Sequence, residues 1–351
     1  MVIAKEINKP RREMNIELFR IYCIFFIVFG HLYGSYLQIN PSSWLFSITK
    51  LLGCCGVDGF IFITGYFLVN AKFKMERIFR VLIEATFYTV AINIVLIAIG
   101  NKEVTIFELL KSFWILGPTH FNLWFITKYL ALLVMQPVLS KIACSFTKRQ
   151  YQVALAVLLL FNLDFIYGFP FGDQLGGPWS LMWFVCIFFV AGYVKLYGLG
   201  KLNTSLRWNV VLFFILGIVS IFLSDFPIIS LEYNSPITFA KSVIAFLIFK
   251  NCNIMQGGGI HYISPHILSV YIIHQHYWLI PIITTFTASI MPEQTSPLRT
   301  PFLLMITSAI FTACVCIDKL RMLLFKFIGL DRLVSITSEK CTNIISNFIN
   351  K

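Results

Sequence analysis

Three ionisable residues sit in the first long apolar run of this chain. Residues 15–31 read NIELFRIYCIFFIVFGH, with Glu17 and Arg20 near the start and His31 at the end. Arg20 and His31 are eleven positions apart. On an α-helix that is three turns plus roughly 20°, so both fall on one face, about 16 Å apart. Glu17 shares the face, three residues before Arg20. Inside a membrane such groups cannot face lipid; they face protein or water and mark a functional site. His31 lies about 24 Å along the helix from Asn15, past the middle of a core roughly 30 Å thick. An uncharged imidazole there is suited to general-base work. The bland alternative has Arg20 snorkelling to the headgroups and His31 satisfying one polar contact.

Other stretches carry weaker signals. Arg77 and Arg80, spaced i,i+3 at the start of a helix, make a fork suited to phosphate or carboxylate; the plain alternative is topogenic charge with an Arg80–Glu84 helix pair. In GVDGFIFITGYFL, residues 56–68, Asp58 is a charge in an apolar run, while Gly59, Thr64 and Gly65 allow close helix approach. SVYIIHQHYW, residues 269–278, places His274 near mid-depth. His276, two residues on, faces another way, so the two histidines do not share a metal. His274 as a cross-helix structural hydrogen bond weighs about equally. Lys128 lies close enough to its span's end to snorkel. No metal is expected.

The elements that must hold these groups are membrane helices. Of 351 residues, 58% are apolar, 36 of them Phe, and only 13% are charged, against about 25% charged in soluble domains. Spans are expected at about 16–38, 44–69, 79–99, 121–142, 151–168, 179–198, 208–224, 236–250, 263–286 and 300–317, a polytopic all-α bundle of about ten. Residues 105–117 suit a re-entrant or interfacial piece. With the N-terminus inside, the cytoplasmic connections receive all of the 28 basic residues except Lys50, Lys102, Lys111, Lys128, Lys241 and Arg299. That bias puts both termini in the cytoplasm. The chain reads as a single domain, with a bundle over 14–317 and an amphipathic tail over 318–351 on the inner membrane surface. The net charge of +12 flanks apolar runs rather than forming one basic face, which excludes nucleic acid as a partner. The nine cysteines include no CxxC and lie largely in apolar runs, so they read as small buried apolar groups.

Taken in order, these motifs resemble the acyltransferase-three family of integral membrane acyltransferases, above all the branch that O-acylates bacterial surface polysaccharides. The resemblance runs from about residue 14 to about residue 280. It rests on Arg20 and His31 in NIELFRIYCIFFIVFGH, on Arg77-x-x-Arg80 and on GVDGFIFITGYFL. LWFITKYLALLVMQPVL, WSLMWFVCIFFVAGYVKLY and SVYIIHQHYW are further landmarks. Glu17 stands where many members carry Asp, Thr64 where Ser is common, and Lys128 where a small residue is usual. The resemblance implies a multi-pass cell-membrane enzyme with acetyl-CoA as donor. Its acceptor is a hydroxyl of a capsular or other surface polysaccharide, or of a lipid-linked glycan precursor. His31 would take the acceptor proton or pass the acyl group across the membrane. Arg77 and Arg80 would hold the CoA phosphates, and Arg20, with Glu17, would orient charge on the His31 face. Asp58, Thr64 and His274 are further candidates. A rival reading from another class is a transporter or flippase of a glycan or small solute; the absence of inverted halves counts against it. A glycan polymerase would need larger outer loops.

Overall fold

The apolar runs fold as helices. The computed structural model describes residues 13–36, 44–53, 55–101, 104–113, 123–166, 177–254, 258–293, 296 and 298–349. In chain order the helices are α1 (Met14–His31), α2 (Trp44–Leu52), α3 (Gly56–Leu68), α4 (Met75–Ala98), α5 (Ile106–Ser112), α6 (Trp124–Ser145), α7 (Lys148–Asn162) and α8 (Leu181–Tyr197). There follow α9 (Leu206–Leu223), α10 (Pro236–Asn251), α11 (Gly258–Ile263), α12 (Ile267–His274), α13 (Leu279–Ile290), α14 (Arg299–Phe327) and α15 (Leu330–Ile349). Helix occupies each of the ten expected segments. Six stretches of the described residues are long and apolar enough to cross a membrane: Met14–Gly34, Leu45–Leu68, Met75–Ala98, Trp124–Ser145, Leu206–Leu223 and Arg299–Phe327. Residues 114–117 of the expected re-entrant piece lie outside the described residues; 106–112 form α5.

The expected span 44–69 is met by α2 and α3, which together make one candidate crossing, Leu45–Leu68. One expected span is broken: the segment 263–286 bends by 90° between Gly258–His274 and Leu279–Ile290. Pro281 accounts for the break: it has no N–H for the carbonyl of Tyr277, and its ring would clash there in a continuous helix. By contrast α14 does not stop at residue 317. It carries Asp318 and Arg321 onward to Phe327, with Asp318 buried.

The buried centre is α3 packed on α8. A Cβ on Gly65 would stand 2.8 Å from the Phe188 Cα and 2.9 Å from the Ala191 Cβ, and one on Gly59 would stand 2.7 Å from the Cys23 Sγ. Glycine at these two positions therefore sets how closely α8 and α1 approach α3, as small residues do between membrane helices. The last carbonyls of α2 and α3 are closed by side chains from other helices. Gln136, buried on α6, donates through Nε2 to the carbonyls of Leu68 and Ala71, each at 3.1 Å. Lys241, buried on α10, donates through Nζ to the carbonyls of Lys50 and Gly53, the latter at 3.0 Å. Both satisfy backbone oxygens that no helix turn follows. The bundle's outside is apolar: Trp208, Ile215 and Phe222 of α9, spaced by sevens, are all exposed, a stripe that suits lipid.

Candidate active site

The break after α12 is what places the site. Because the helix ends at His274, the next residue, Gln275, turns its side chain onto α1. His274 Nε2 lies 2.9 Å from His31 Nδ1, and the Gln275 amide nitrogen lies 2.7 Å from the same Nδ1. His274 Nδ1 is 2.6 Å from the Val270 carbonyl. A carbonyl oxygen only accepts, so His274 carries its proton on Nδ1. For two uncharged imidazoles, His274 Nε2 is then an acceptor, and His31 Nδ1–H donates to it. The Gln275 amide must turn its oxygen toward that same proton, since two donors cannot face each other. The lone pair of His31 is left on Nε2, which meets no hydrogen-bond partner among the described residues. A ring whose far nitrogen is fixed by a hydrogen bond, with its near nitrogen open, is the arrangement a general base requires.

His31 opens onto two spaces. One is a cavity of about 300 Å³ lined by Gly30, His31, Thr49, Lys50, Glu232 and Tyr233, among others. The other is a narrow apolar slot of about 20 Å³ that shares His31, Ile27, Val57 and Tyr233 with it.

The opposite end of α1 is built from charge. Arg20 Nη1 donates to Glu17 Oε1 at 3.2 Å, as the shared face requires. Arg20 thus meets Glu17 and lines neither space at His31. Arg77 and Arg80 do not form one fork. Arg77 Nη1 donates to the Lys72 carbonyl at 3.0 Å. Arg80 pairs with Glu76 at 2.8 Å and with Asp331 of α15 at 3.3 Å. The Arg80–Glu84 pair of the plain alternative does not form: the partner on the helix is Glu76, the acid four residues earlier, the orientation the helix dipole favours. Glu84 is engaged elsewhere. Its Oε1 lies 2.5 Å from the Ser269 hydroxyl oxygen and its Oε2 lies 3.6 Å from Arg321 Nη2.

Those contacts belong to a buried hub. Asp318 Oδ1 accepts from the hydroxyls of Tyr88, at 2.6 Å, and Ser269, at 2.5 Å, and from Arg321 Nε at 2.6 Å; Oδ2 lies 2.5 Å from His266 Nδ1. Arg80, Glu84, Arg321 and Asp331 line a second cavity, of about 280 Å³. Ser269 precedes His274 by five residues, so hub and histidine pair stand about 7.5 Å apart along α12.

Asp58 and Thr64 line none of these spaces. Asp58 is buried and accepts from Trp183 Nε1 at 3.0 Å, tying α3 to α8. Thr64 donates to the Phe60 carbonyl at 3.0 Å within its own helix. Sequence reasoning missed Gln275, because its place on His31 follows from the helix break, and missed the hub, because Asp318 and Arg321 had been placed in a surface tail. A charge pair at i,i+3 directly after an apolar run was the available signal.

Composition and fold define an all-helical, multi-pass membrane protein. A family model described as an acyltransferase domain matches residues 14–319, so the chain belongs to acyltransferase family 3, a family of membrane acyltransferases. No curated protein and no solved structure matches it at a significant level.

Proposed function

We propose that the chain is an O-acyltransferase of the cell membrane. It moves an acetyl group from acetyl-CoA to a hydroxyl of a capsular or other surface polysaccharide, or of its lipid-linked precursor. The observation that carries this reading is His31, hydrogen-bonded to His274, at the wall of the 300 Å³ cavity, with its other imidazole nitrogen left for a bound hydroxyl. In this reading His31 Nε2 takes the acceptor proton, and His274 and Gln275 hold the ring in the tautomer that allows it. Arg77 and Arg80 meet the anionic phosphates of CoA at the cytoplasmic side. Arg80 already lines a cavity there, and an incoming phosphate would replace Glu76 and Asp331 as its partner. Arg20, held by Glu17, keeps a positive charge on the His31 face at that end. The bundle crosses the membrane about ten times with both termini in the cytoplasm, a topology supported by the placement of its basic residues.

Replacing His31 with Ala tests the reading. Transfer from acetyl-CoA to surface glycan is expected to fall about 10²- to 10⁴-fold, the usual contribution of a general base, while the protein still inserts and accumulates. Ester content of the glycan and thioester cleavage in purified membranes are the two readouts. Full acylation by the variant removes His31 from the chemistry. A wild-type protein that leaves the thioester intact favours the transporter or flippase instead.

A further inference from the structure

The 300 Å³ cavity at His31 has a charged wall that the proton transfer does not use. Lys50 of α2 and Glu232, from the connection between α9 and α10, both line it. Lys50 is among the basic residues that fall outside the cytoplasmic connections, so the charge bias of the topology does not account for it. Of those residues, Lys111 is held by Glu108 at 2.8 Å and Lys241 by the Gly53 carbonyl at 3.0 Å. Lys50 forms no ion pair with any of the described residues, Glu232 included. Its ammonium stands 5.6 Å from the centre of the Phe46 ring, itself part of the cavity wall. Both charges sit on pinned elements. Lys241 Nζ donates to the Lys50 carbonyl. The Glu232 connection is tied to the end of α7 through Ser230 N–H to the Phe165 carbonyl and Asn234 Nδ2 to the Asn162 carbonyl, each at 2.9 Å. Lys50 and Glu232 thus share a cavity without closing on each other. A neutral sugar would be met there by the Glu232 carboxylate and by the rings of Phe46 and Tyr233, and would offer the ammonium no more than water does. An oxyanion offers charge-assisted hydrogen bonds, roughly twice as strong as neutral ones, and offsets the cost of a half-buried cation.

We infer that the acceptor is acidic: near the hydroxyl that is acylated it carries a carboxylate or a phosphate, and Lys50 binds that group. The inference rests on the acyltransferase reading above and adds to it the class of acceptor and the residue that selects it. Two sources supply such an anion, an acidic sugar of the glycan or the diphosphate of a lipid-linked precursor. Glu232 gives the binding a direction. It accepts from sugar hydroxyls and repels an acceptor that enters with its anion at the wrong wall, so one pose is favoured and its opposite disfavoured.

The test uses the full chain in native membranes with radiolabelled acetyl-CoA, and acceptor prepared from a strain lacking the protein, so that its hydroxyls are free. Three forms are compared: the lipid-linked precursor, the glycan released from it by mild acid without the lipid diphosphate, and the released glycan neutralised by methyl esterification of its acid groups. Lys50→Met is expected to raise KM for the charged acceptor about tenfold or more, the worth of a hydrogen bond to a charged group, with kcat little changed because the contact is made equally before and during transfer. Lys50→Arg, which keeps the charge, should stay nearer wild type. KM does not depend on how much folded protein a membrane holds, and Lys50→Gln replaces Lys50→Met if the latter does not accumulate. The form at which wild type and Lys50→Met converge names the anion: the released glycan for the lipid diphosphate, the esterified glycan for a sugar acid. Equal KM for the two proteins on every form overturns the inference and leaves the acyltransferase reading standing. So does a difference that persists on the esterified glycan, since Lys50 then shapes the cavity and meets no charge. Transfer to none of the forms by wild type overturns the acyltransferase reading, and this inference with it.

Discussion

The two ends of α12 use polar groups in opposite ways. At the Ser269 end the carboxylates and the guanidinium are all engaged. Asp318 accepts from Tyr88, Ser269 and Arg321 and contacts His266, and Glu84 lies against the Ser269 hydroxyl and faces Arg321. At the His274 end the polar groups are imidazoles and an amide, and among the described residues the chain of hydrogen bonds stops one nitrogen short, at His31 Nε2. A buried ionic network that is satisfied throughout holds helices in register, because taking any one member away strands the others in low dielectric. A chain left open at its end holds one atom ready for a ligand. The hub anchors α12 against α4 and α14; the anchored helix then presents His274 to His31.

That division predicts unlike consequences for mutations at the two ends. The largest effect is expected for Asp318→Ala. Removing one partner of a buried charge network costs about 3–5 kcal/mol, because Arg321 and His266 lose their shared acceptor. The variant should accumulate poorly and lose its folded state at markedly lower temperature in detergent, measurable by thermal aggregation. Normal stability would mean that the hub does not hold α12. His274→Ala should behave the other way. Gln275 still meets His31 Nδ1 and no ion is stranded, so stability falls less than for Asp318→Ala, while kcat falls about 10- to 100-fold as His31 loses the acceptor that fixes its tautomer. His274→Gln, whose side-chain oxygen can accept from His31 Nδ1–H, should recover part of that loss, which a purely structural role for His274 does not predict.

Much of this contrast was legible in the sequence at one end only. The shared face of Glu17, Arg20 and His31 follows from helix geometry alone, and the structure places Glu17 on Arg20. The partner of His31 did not follow, because His274 lies 243 positions away and no rule of local spacing reaches across the bundle. Mid-depth placement flagged His274 as a candidate without saying what it touches. The break that aims Gln275 was readable in principle at Pro281, but an apolar run long enough to span masks it. The hub was lost to a boundary: charge after an apolar run reads as a tail, whereas α14 keeps Asp318 in the bundle through Tyr88 of α4 and Ser269 of α12, and Arg321 through Glu84 of α4. Arg80 was legible as a charge and not as a contact, because which acid it takes depends on what Ser269 and Arg321 leave available.

The smallest effect sharpens the comparison most. Arg80 lies at the edge of the charged end, held by Glu76 within α4 and by Asp331 from α15. If the charged end also receives the donor's phosphates, Asp331 competes with them for the same guanidinium. Asp331 and Arg80 are both about half exposed, and such a pair contributes little. Asp331→Asn is therefore expected to lower KM for acetyl-CoA only about two- to fivefold, in line with a surface ion pair, with kcat unchanged. Screening sets a further condition: the difference from wild type should shrink as salt is raised, since the competing charges are in contact with water. KM measured for both proteins at low and high ionic strength decides it. A lower KM that converges with wild type at high salt places the phosphates on Arg80. An unchanged KM at low salt means that the donor's charge is met elsewhere, and the charged end of α12 is then an anchor and nothing more.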